Sequence, residues 1–509
     1  MKRSVAWTVV KLIERGEQGA VAIRAPGRQP LRYGDLSRQV ARTIGRLNTF
    51  GVGRNDPVAI VIRNGPEMAS AFLSIAAGAT AAPLNPAYKA DEFEFYLSDL
   101  RAKLLVVEAG NTTAARGAAK RLGIPVAELS PAVSGPCGLF DLVGPCGGKG
   151  ASQGGEAEAD DVALVLHTSG TTSRPKIVPL THANICASAA HIKESLALAP
   201  EDCCLNVMPL FHIHGLMAAV SSSLASGASV FCTPSFNGLK FFRWMKESDP
   251  SWYTAVPTMH QAILSRAGPN RAIIEAGRLR FIRSSSASLA PQLLRRLEEV
   301  FQAPVIESYG MTEAAHQMTS NPLPPRERKA GTVGLAAGPE VAIMDEDGRL
   351  LPGGEVGEVV IRGDNVTRGY QNNPRANAAA FCRGWFRTGD QGVMDGEGYL
   401  RLTGRLKEII NRGGEKVSPR EVDEVLMDHP AVVQVVTFAM PHAKLGEEVA
   451  AAVVPDTDAP PTEADIRNFA RARLADFKVP RRIVFVGEIP KGPTGKLQRI
   501  GLAEKLGLV

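Results

Sequence analysis

Strands that read as buried on both faces set the tightest limit on this fold. Val58–Ile62 spells V-A-I-V-I, a continuous apolar run with no polar alternation. Such a run suits a mostly parallel sheet covered on both sides, not a sheet with one face in water. A helix is expected over Glu67–Ala77, then a short strand over Ala81–Leu84 ending at the turn Asn85-Pro86. Lys103–Val107 reads as a further strand. Strand–helix–strand alternation of this kind predicts an α/β fold.

The chain has 509 residues, too many for one hydrophobic core, so at least two domains are expected. Residues 134–160 are rich in Gly, Ser, Pro and Glu, and read as a mobile surface connection. A short buried strand, Val162–Leu166, follows. A second boundary falls near residue 405. Upstream, Glu355–Arg362 alternates like a strand; downstream, Val432–Met440 and Val449–Val454 read as strands and Glu463–Leu474 as a helix. The last hundred residues can therefore form a small α+β domain. No repeat at a solenoid period is present.

Several function classes drop out on composition. The formal net charge of +6 is spread along the chain, and aromatics make up only 6%. That balance suits an anionic substrate and argues against nucleic acid. Seven cysteines with no C-x-x-C pair argue against a disulfide framework or a zinc site, and fit a reducing cytoplasm. No apolar stretch reaches the roughly 18 residues of a membrane span. The N-terminal apolar run is interrupted at Lys11, unlike a signal peptide, and Gly507-Leu508-Val509 is no peroxisomal address. A cytoplasmic monomer or homodimer is expected.

The most informative segment is T-S-G-T-T-S-R-P-K, residues 168–176. Thr168, Ser169, Gly170, Thr171 and Thr172 offer hydroxyls and backbone N–H groups to phosphate oxygens, Gly170 allows close backbone approach, and Lys176 adds a cation. The segment follows a strand, as phosphate loops do. It is not a Walker A loop, because G-x-x-x-x-G-K-[ST] is absent.

This loop resembles the phosphate-binding signature of the acyl-activating, adenylate-forming superfamily of acyl-CoA synthetases, adenylation domains and luciferases. Ser173 stands where that signature usually has Gly. The variant T-S-G-T-T-S-R-P-K is similar to the oxalate–CoA ligase subgroup, as are W-Y-T-A-V-P-T-M-H (Trp252–His260), S-N-P-L-P (Ser320–Pro324) and N-R-G-G-E-K (Asn411–Lys416).

Four more motifs follow in the family's order. E-S-Y-G-M-T-E (307–313) implies that Tyr309 stacks on adenine beside Glu307 and Ser308. It also implies that Thr312 contacts the α-phosphate and that Glu313 helps hold Mg²⁺, a hard cation suited to a carboxylate. Ser286 and Ala287 border the same nucleotide. G-W-F-R-T-G-D (384–390) implies that Asp390 binds the ribose hydroxyls. G-R-L-K-E-I-I-N-R-G-G-E-K-V-S-P (404–419) places Arg405 as a second ribose contact, Lys407 at the hinge, and Gly413 and Gly414 along the pantetheine tunnel. P-K-G-P-T-G-K-L-Q-R (490–499) makes Lys496 the catalytic lysine.

The resemblance implies a large N-terminal domain over 1–404 built of packed α/β subdomains, a hinge at 405–409 and a small mobile α+β domain over 410–509. ATP, Mg²⁺ and coenzyme A are the implied cofactors. The implied reaction joins a carboxylate to AMP and passes the acyl group to CoA. The acyl pocket is expected along 209–215, 284–291 and 314–318, where His212, His214, Ser288 and His316 supply polar groups. Polar groups there favour a small second carboxylate over an alkyl chain or aryl ring. Oxalate is therefore the expected acid. Another small, fatty or aryl acid, a carrier protein in place of CoA, and a non-catalytic nucleotide binder are the alternatives.

Overall fold

A computed structural model describes residues 7–145, 150–168, 175–456, 459–490 and 498–508. The chain forms two compact units. One draws on Met1–Thr168, Lys176–Val341 and Ile361–Ala380, the other on Ala342–Val360 and Phe381–Val509.

The first unit holds two large sheets. A seven-stranded sheet runs, edge to edge, through Phe140–Val143, Val126–Pro131, Leu104–Glu108, Pro57–Val61, Thr80–Pro83, Val162–Thr168 and Lys176–Thr181. Its four central pairings are parallel, as the both-faces-buried strands require. Val58–Ile60 and Leu104–Val107 have no exposed surface. Helices cover the sheet and begin where local chemistry allows. Pro66 opens Pro66–Ala76, since proline loses no hydrogen bond in a first turn. Thr181 and Asn184 form a reciprocal cap on His182–Ser195.

The 134–160 stretch is not one connection. Phe140–Val143 is an edge strand with Phe140 and Leu142 turned inward, paired antiparallel with Val126–Pro131. Four residues of period-two pattern were hidden between glycine- and proline-rich flanks.

The second sheet of this unit has nine strands. Its centre pairs Val305–Met311, Phe281–Ser284, Trp252–Ala255 and Cys203–Asn206 side by side in parallel, each in register with the next. The carboxyl ends of these neighbours therefore line up. There the chain leaves the sheet into the loops that precede His214, contain Ser286 and lead to Thr312. In open α/β sheets this edge is where ligands bind.

The second unit carries a six-stranded sheet containing Val356–Arg362 and Trp385–Met394, and a five-stranded sheet. The latter is built on the long hairpin of Val432–His442 and Gly446–Pro455. Val435, Val449, Ala451, Val453, Val422, Leu426 and Ile466 bury its core against the helices Pro419–Met427 and Glu463–Arg471. Among the described residues no helix is long and apolar enough to cross a membrane.

Candidate active site

Thr168 and Lys176 are the closing register pair of the hairpin formed by Val162–Thr168 and Lys176–Thr181, so both ends of the T-S-G-T-T-S-R-P-K segment are pinned opposite each other. Ser169, Gly170, Thr171 and Thr172 lie outside the described residues, as does Lys496.

Lys176 and Glu313 are brought together by a residue that sequence reasoning missed. Tyr370 donates its hydroxyl proton to Glu313 Oε1 at 2.9 Å, and Lys176 Nζ lies 4.4 Å from the centroid of the same ring. The backbone oxygen of Glu313 accepts from Thr367 N–H at 2.7 Å. Burial, then the neighbouring carboxylate, raises the Tyr370 pKa, so the phenol remains a donor. Its one signal in the sequence is the aromatic of R-G-Y-Q (368–371).

Thr312–Ala314 is a single 3₁₀ turn between the antiparallel strands Val305–Met311 and His316–Ser320. The hairpin is very close at Gly310. A Cβ there would lie 1.7 Å from the His316 carbonyl oxygen, so only glycine fits. Asn365 Nδ2 donates to the carbonyls of Ala314 and Gln317, at 2.8 and 3.0 Å, and fixes the turn from below. Tyr309 lies within the first strand, opposite Thr319. Glu307 Oε1 accepts from Leu289 N–H at 3.0 Å. Ser285 Oγ donates to the carbonyl of Ser308 at 2.9 Å. The serine loop and the Tyr309 strand are thus laced together.

The expected acyl pocket divides. His214 and His316 stack at 5.0 Å between ring centroids, with planes 22° apart, and both are buried. His214 opens the π-helical stretch His214–Ser221, a wide turn often found where a side chain must be aimed. Its Nδ1 lies 2.9 Å from Ser286 Oγ and its Nε2 lies 2.6 Å from Thr254 Oγ1. Burial, reinforced by His316 and Arg283, drives the His214 pKa well below the ordinary value, so the ring is neutral. Ser286 holds a φ of 71°, a left-handed conformation costly for a non-glycine residue and common at functional sites. Ser288 and Ala287 are exposed on the same loop. Ser286, not Ser288, is the serine that meets His214. His212 packs its ring against Phe211, at 4.5 Å between centroids, and adds to the electrostatic pressure on His214.

In the second unit, Asp390 and Arg405 are register partners on the antiparallel strands Trp385–Met394 and Leu400–Arg405. Arg405 Nε donates to Asp390 Oδ1 at 2.9 Å. A buried carboxylate aligned by a guanidinium is a suitable acceptor for a diol. Lys407 is exposed in the turn between Arg405 and Ile410. Gly413 and Gly414 form the two-residue turn of the Ile410–Arg412 and Glu415–Val417 hairpin, with φ of 60° and 99°. Two left-handed residues in succession are what such a tight turn demands. Arg499 is half-buried in a web of its own. Its Nε donates to Glu408 at 3.2 Å, and its other donors reach Asp423, 2.7 Å away, and the Thr437 carbonyl, 3.0 Å away.

Among the described residues, no cluster of three His, Cys, Asp or Glu side chains could hold a metal. Glu313 offers a buried carboxylate held by Tyr370 and is the one expected to face a metal. That arrangement suits Mg²⁺ held mainly by substrate phosphates and one carboxylate.

Residues 13–371 match the family described as AMP-binding enzyme, and residues 421–496 match the AMP-binding enzyme C-terminal domain. Over 487 residues the chain is 47% identical to an oxalate–CoA ligase of Arabidopsis thaliana, covering 94% of each chain. It is 43% identical over 502 residues to an oxalate–CoA ligase of Saccharomyces cerevisiae, covering 93% of this chain and 92% of the other. Its fold is similar to that of ATP-bound MatB from Rhodopseudomonas palustris, with a TM-score of 0.87, 29% identity and 99% of both chains covered.

Proposed function

We infer the reaction from the premise that this chain belongs to the AMP-binding enzyme family, with the adenylate-forming fold. It is an ATP-dependent carboxylate–CoA ligase, and its acid is oxalate. The observation that carries the choice of acid is the polar cluster of buried His214, His316 and Thr254 with half-buried Ser286. A hydrocarbon acyl chain would lay apolar surface against this polar cluster and offer it no acceptor, which is an unfavourable match. A carboxylate directly on the reacting carbon supplies the acceptors they need.

In the first half-reaction one carboxylate oxygen attacks the α-phosphorus of ATP, the bond to the β-phosphate oxygen breaks, and pyrophosphate leaves. The nucleophile is already ionised near neutral pH, so no general base is needed. Catalysis then rests on placing donors and cations around the developing charge. We assign Lys496 to the α-phosphate and the attacking carboxylate, and Thr168–Thr172 with Lys176 to the β- and γ-phosphates. Thr312 goes to the α-phosphate, and Asp390 with Arg405 to the ribose. Tyr309, Glu307, Ser308, Ser286 and Ala287 frame the nucleotide. Mg²⁺ carried by the phosphates would take Glu313 as its protein ligand.

In the second half-reaction the CoA thiolate attacks the acyl carbon and AMP leaves. Gly413 and Gly414 border its path. Lys496 and the thiol compete for one reacting centre, which favours a turn about residues 405–409 with Lys407 at the pivot.

The test is CoA-dependent release of AMP from ATP across oxalate, malonate, acetate, octanoate and 4-coumarate. Clear preference for oxalate is expected. Preference for a monocarboxylate would overturn the choice of acid and leave the ligase class standing.

A further inference from the structure

Arg283 lies in the strand Phe281–Ser284 and is completely buried. Its partners are neutral. Nη1 reaches His214 Nε2 at 3.5 Å, Nη2 donates to Gln317 Oε1 at 3.3 Å, and Nε has no hydrogen-bond partner. No carboxylate stands among the described groups that interact with it. Two half-buried arginines are paired by contrast: Arg412 with Glu448, Arg499 with Asp423 and Glu408. A desolvated cation without a counter-ion is strongly unfavourable, and proteins rarely keep one without use.

The way out from Arg283 is directional. A guanidinium only donates, so its approach to His214 Nε2 calls for a lone pair there, one that also accepts from the Thr254 hydroxyl 2.6 Å away. The proton of the neutral ring is then on Nδ1, which donates to Ser286 Oγ at 2.9 Å. With its oxygen accepting from His214, Ser286 has its own hydroxyl proton left to give. His214 and Ser286 thus form a relay whose positive end points away from Arg283, along the carboxyl-end loops of the nine-stranded sheet.

We propose that Arg283 is a positioning residue that selects acids bearing a second carboxylate, because its uncompensated charge acts through His214 and Ser286 and is neutralised only when a dianion fills the pocket. The inference rests on the reading that this pocket holds the acid. It adds a residue that does not touch substrate.

The test uses the full chain, with R283M and R283K beside the wild type. R283M should lower kcat/KM for oxalate about 10- to 100-fold, the range a charge-assisted hydrogen bond carries. The loss should fall mainly in KM, with kcat/KM for acetate kept within about threefold, as expected when only uniform binding is lost. Oxalate should raise the melting temperature of the wild type and not that of R283M. The ligand-free melting temperature of R283M should hold or rise, since an unpaired buried charge is gone. R283K keeps the charge and loses the fork, so its oxalate-to-acetate ratio should fall between the two. Should R283M not fold, R283K alone decides, with an unchanged ratio counting against the proposal. Nitrogen-resolved NMR of the wild type should find the His214 proton on Nδ1; a proton on Nε2 overturns the relay. Equal loss toward both acids with a lower melting temperature makes Arg283 merely structural. A wild type inactive on oxalate sinks the substrate reading itself, whereas an active one whose ratio R283M leaves unchanged sinks only this inference.

Discussion

Replacing Tyr370 by Phe removes one oxygen atom and little else. The ring stays, so the contact of Lys176 Nζ at 4.4 Å from its centroid is kept. What disappears is the hydrogen bond to Glu313 Oε1 at 2.9 Å. Both residues are buried, Glu313 at 6% and Tyr370 at 7% exposure, so water does not replace the lost donor freely. A hydrogen bond to a charged acceptor contributes about 1.5–3 kcal/mol, or about 10- to 150-fold in an equilibrium constant. If that energy holds the Glu313 carboxylate in the orientation Mg²⁺·ATP needs, it should appear in the Mg²⁺ requirement. Oxalate-dependent exchange of pyrophosphate into ATP, titrated with Mg²⁺, should show half-saturation raised at least about tenfold in Y370F. Calorimetric titration of Mg²⁺·ATP without acid should show the same weakening. Y370L also strips the contact to Lys176, which is worth a further ~0.5–2 kcal/mol. It should therefore be worse than Y370F. A Y370F enzyme with the Mg²⁺ dependence and nucleotide affinity of the wild type would refute the argument. Equal defects in Y370F and Y370L would show that the hydroxyl, not the ring, carries everything.

Three other outcomes are expected. G310A forces the hairpin apart, because a Cβ would sit 1.7 Å from the His316 carbonyl oxygen; displacing Thr312, Glu313 and His316 by about 1 Å should cost at least ~100-fold in kcat, and near-normal turnover would contradict the hairpin geometry. K496A should abolish acyl-AMP formation and spare thioester formation from supplied oxalyl-AMP; equal loss of both half-reactions would refute the assignment of Lys496. His182, buried and accepting from Val9 N–H at 3.1 Å, has its pKa pulled down to about 4. The folded value lies below the unfolded one, so the unfolded chain takes up the proton first. Its contribution is complete above about pH 6.5 and is lost as pH falls toward 4, by about 2 kcal/mol at pH 5 and about 3 kcal/mol at pH 4. Urea unfolding of the wild type and H182Q across that window should show the difference flatten in the variant; parallel curves would exclude His182 as a source of acid sensitivity.

Most of the frame was readable because its signals are local. The run Val58–Ile62, the strand Val162–Leu166 and the turn at Gly413-Gly414 each carry their own physical reason. The edge strand Phe140–Val143 was not readable, since four alternating residues are weaker than the turn formers around them. The centre of the site was half legible. His214 and His316 were singled out as polar groups and do stack on each other, but which serine meets His214 depends on a left-handed backbone at Ser286 that a run of serines does not reveal. Arg283 and Tyr370 were missed for a common reason. Each acts across sheets or loops, 69 residues from His214 and 57 from Glu313. Arginine inside F-I-R-S did hold a clue, since a charge within a buried strand demands an explanation.

Arg499 stands three residues beyond Lys496 and is fastened to Glu408, 91 positions earlier in the chain. Glu408 is the neighbour of Lys407. The two ends of the small domain's sequence are therefore buckled together at one guanidinium, with Asp423 as the second strap. A backbone turn at 407 would carry residue 499 with it through that ion pair rather than through the length of chain between them. If the lysine is swung in and out by such a turn, its stroke is set at the pivot, and loosening the Arg499 buckle should blur the timing of the two half-reactions before it weakens either one.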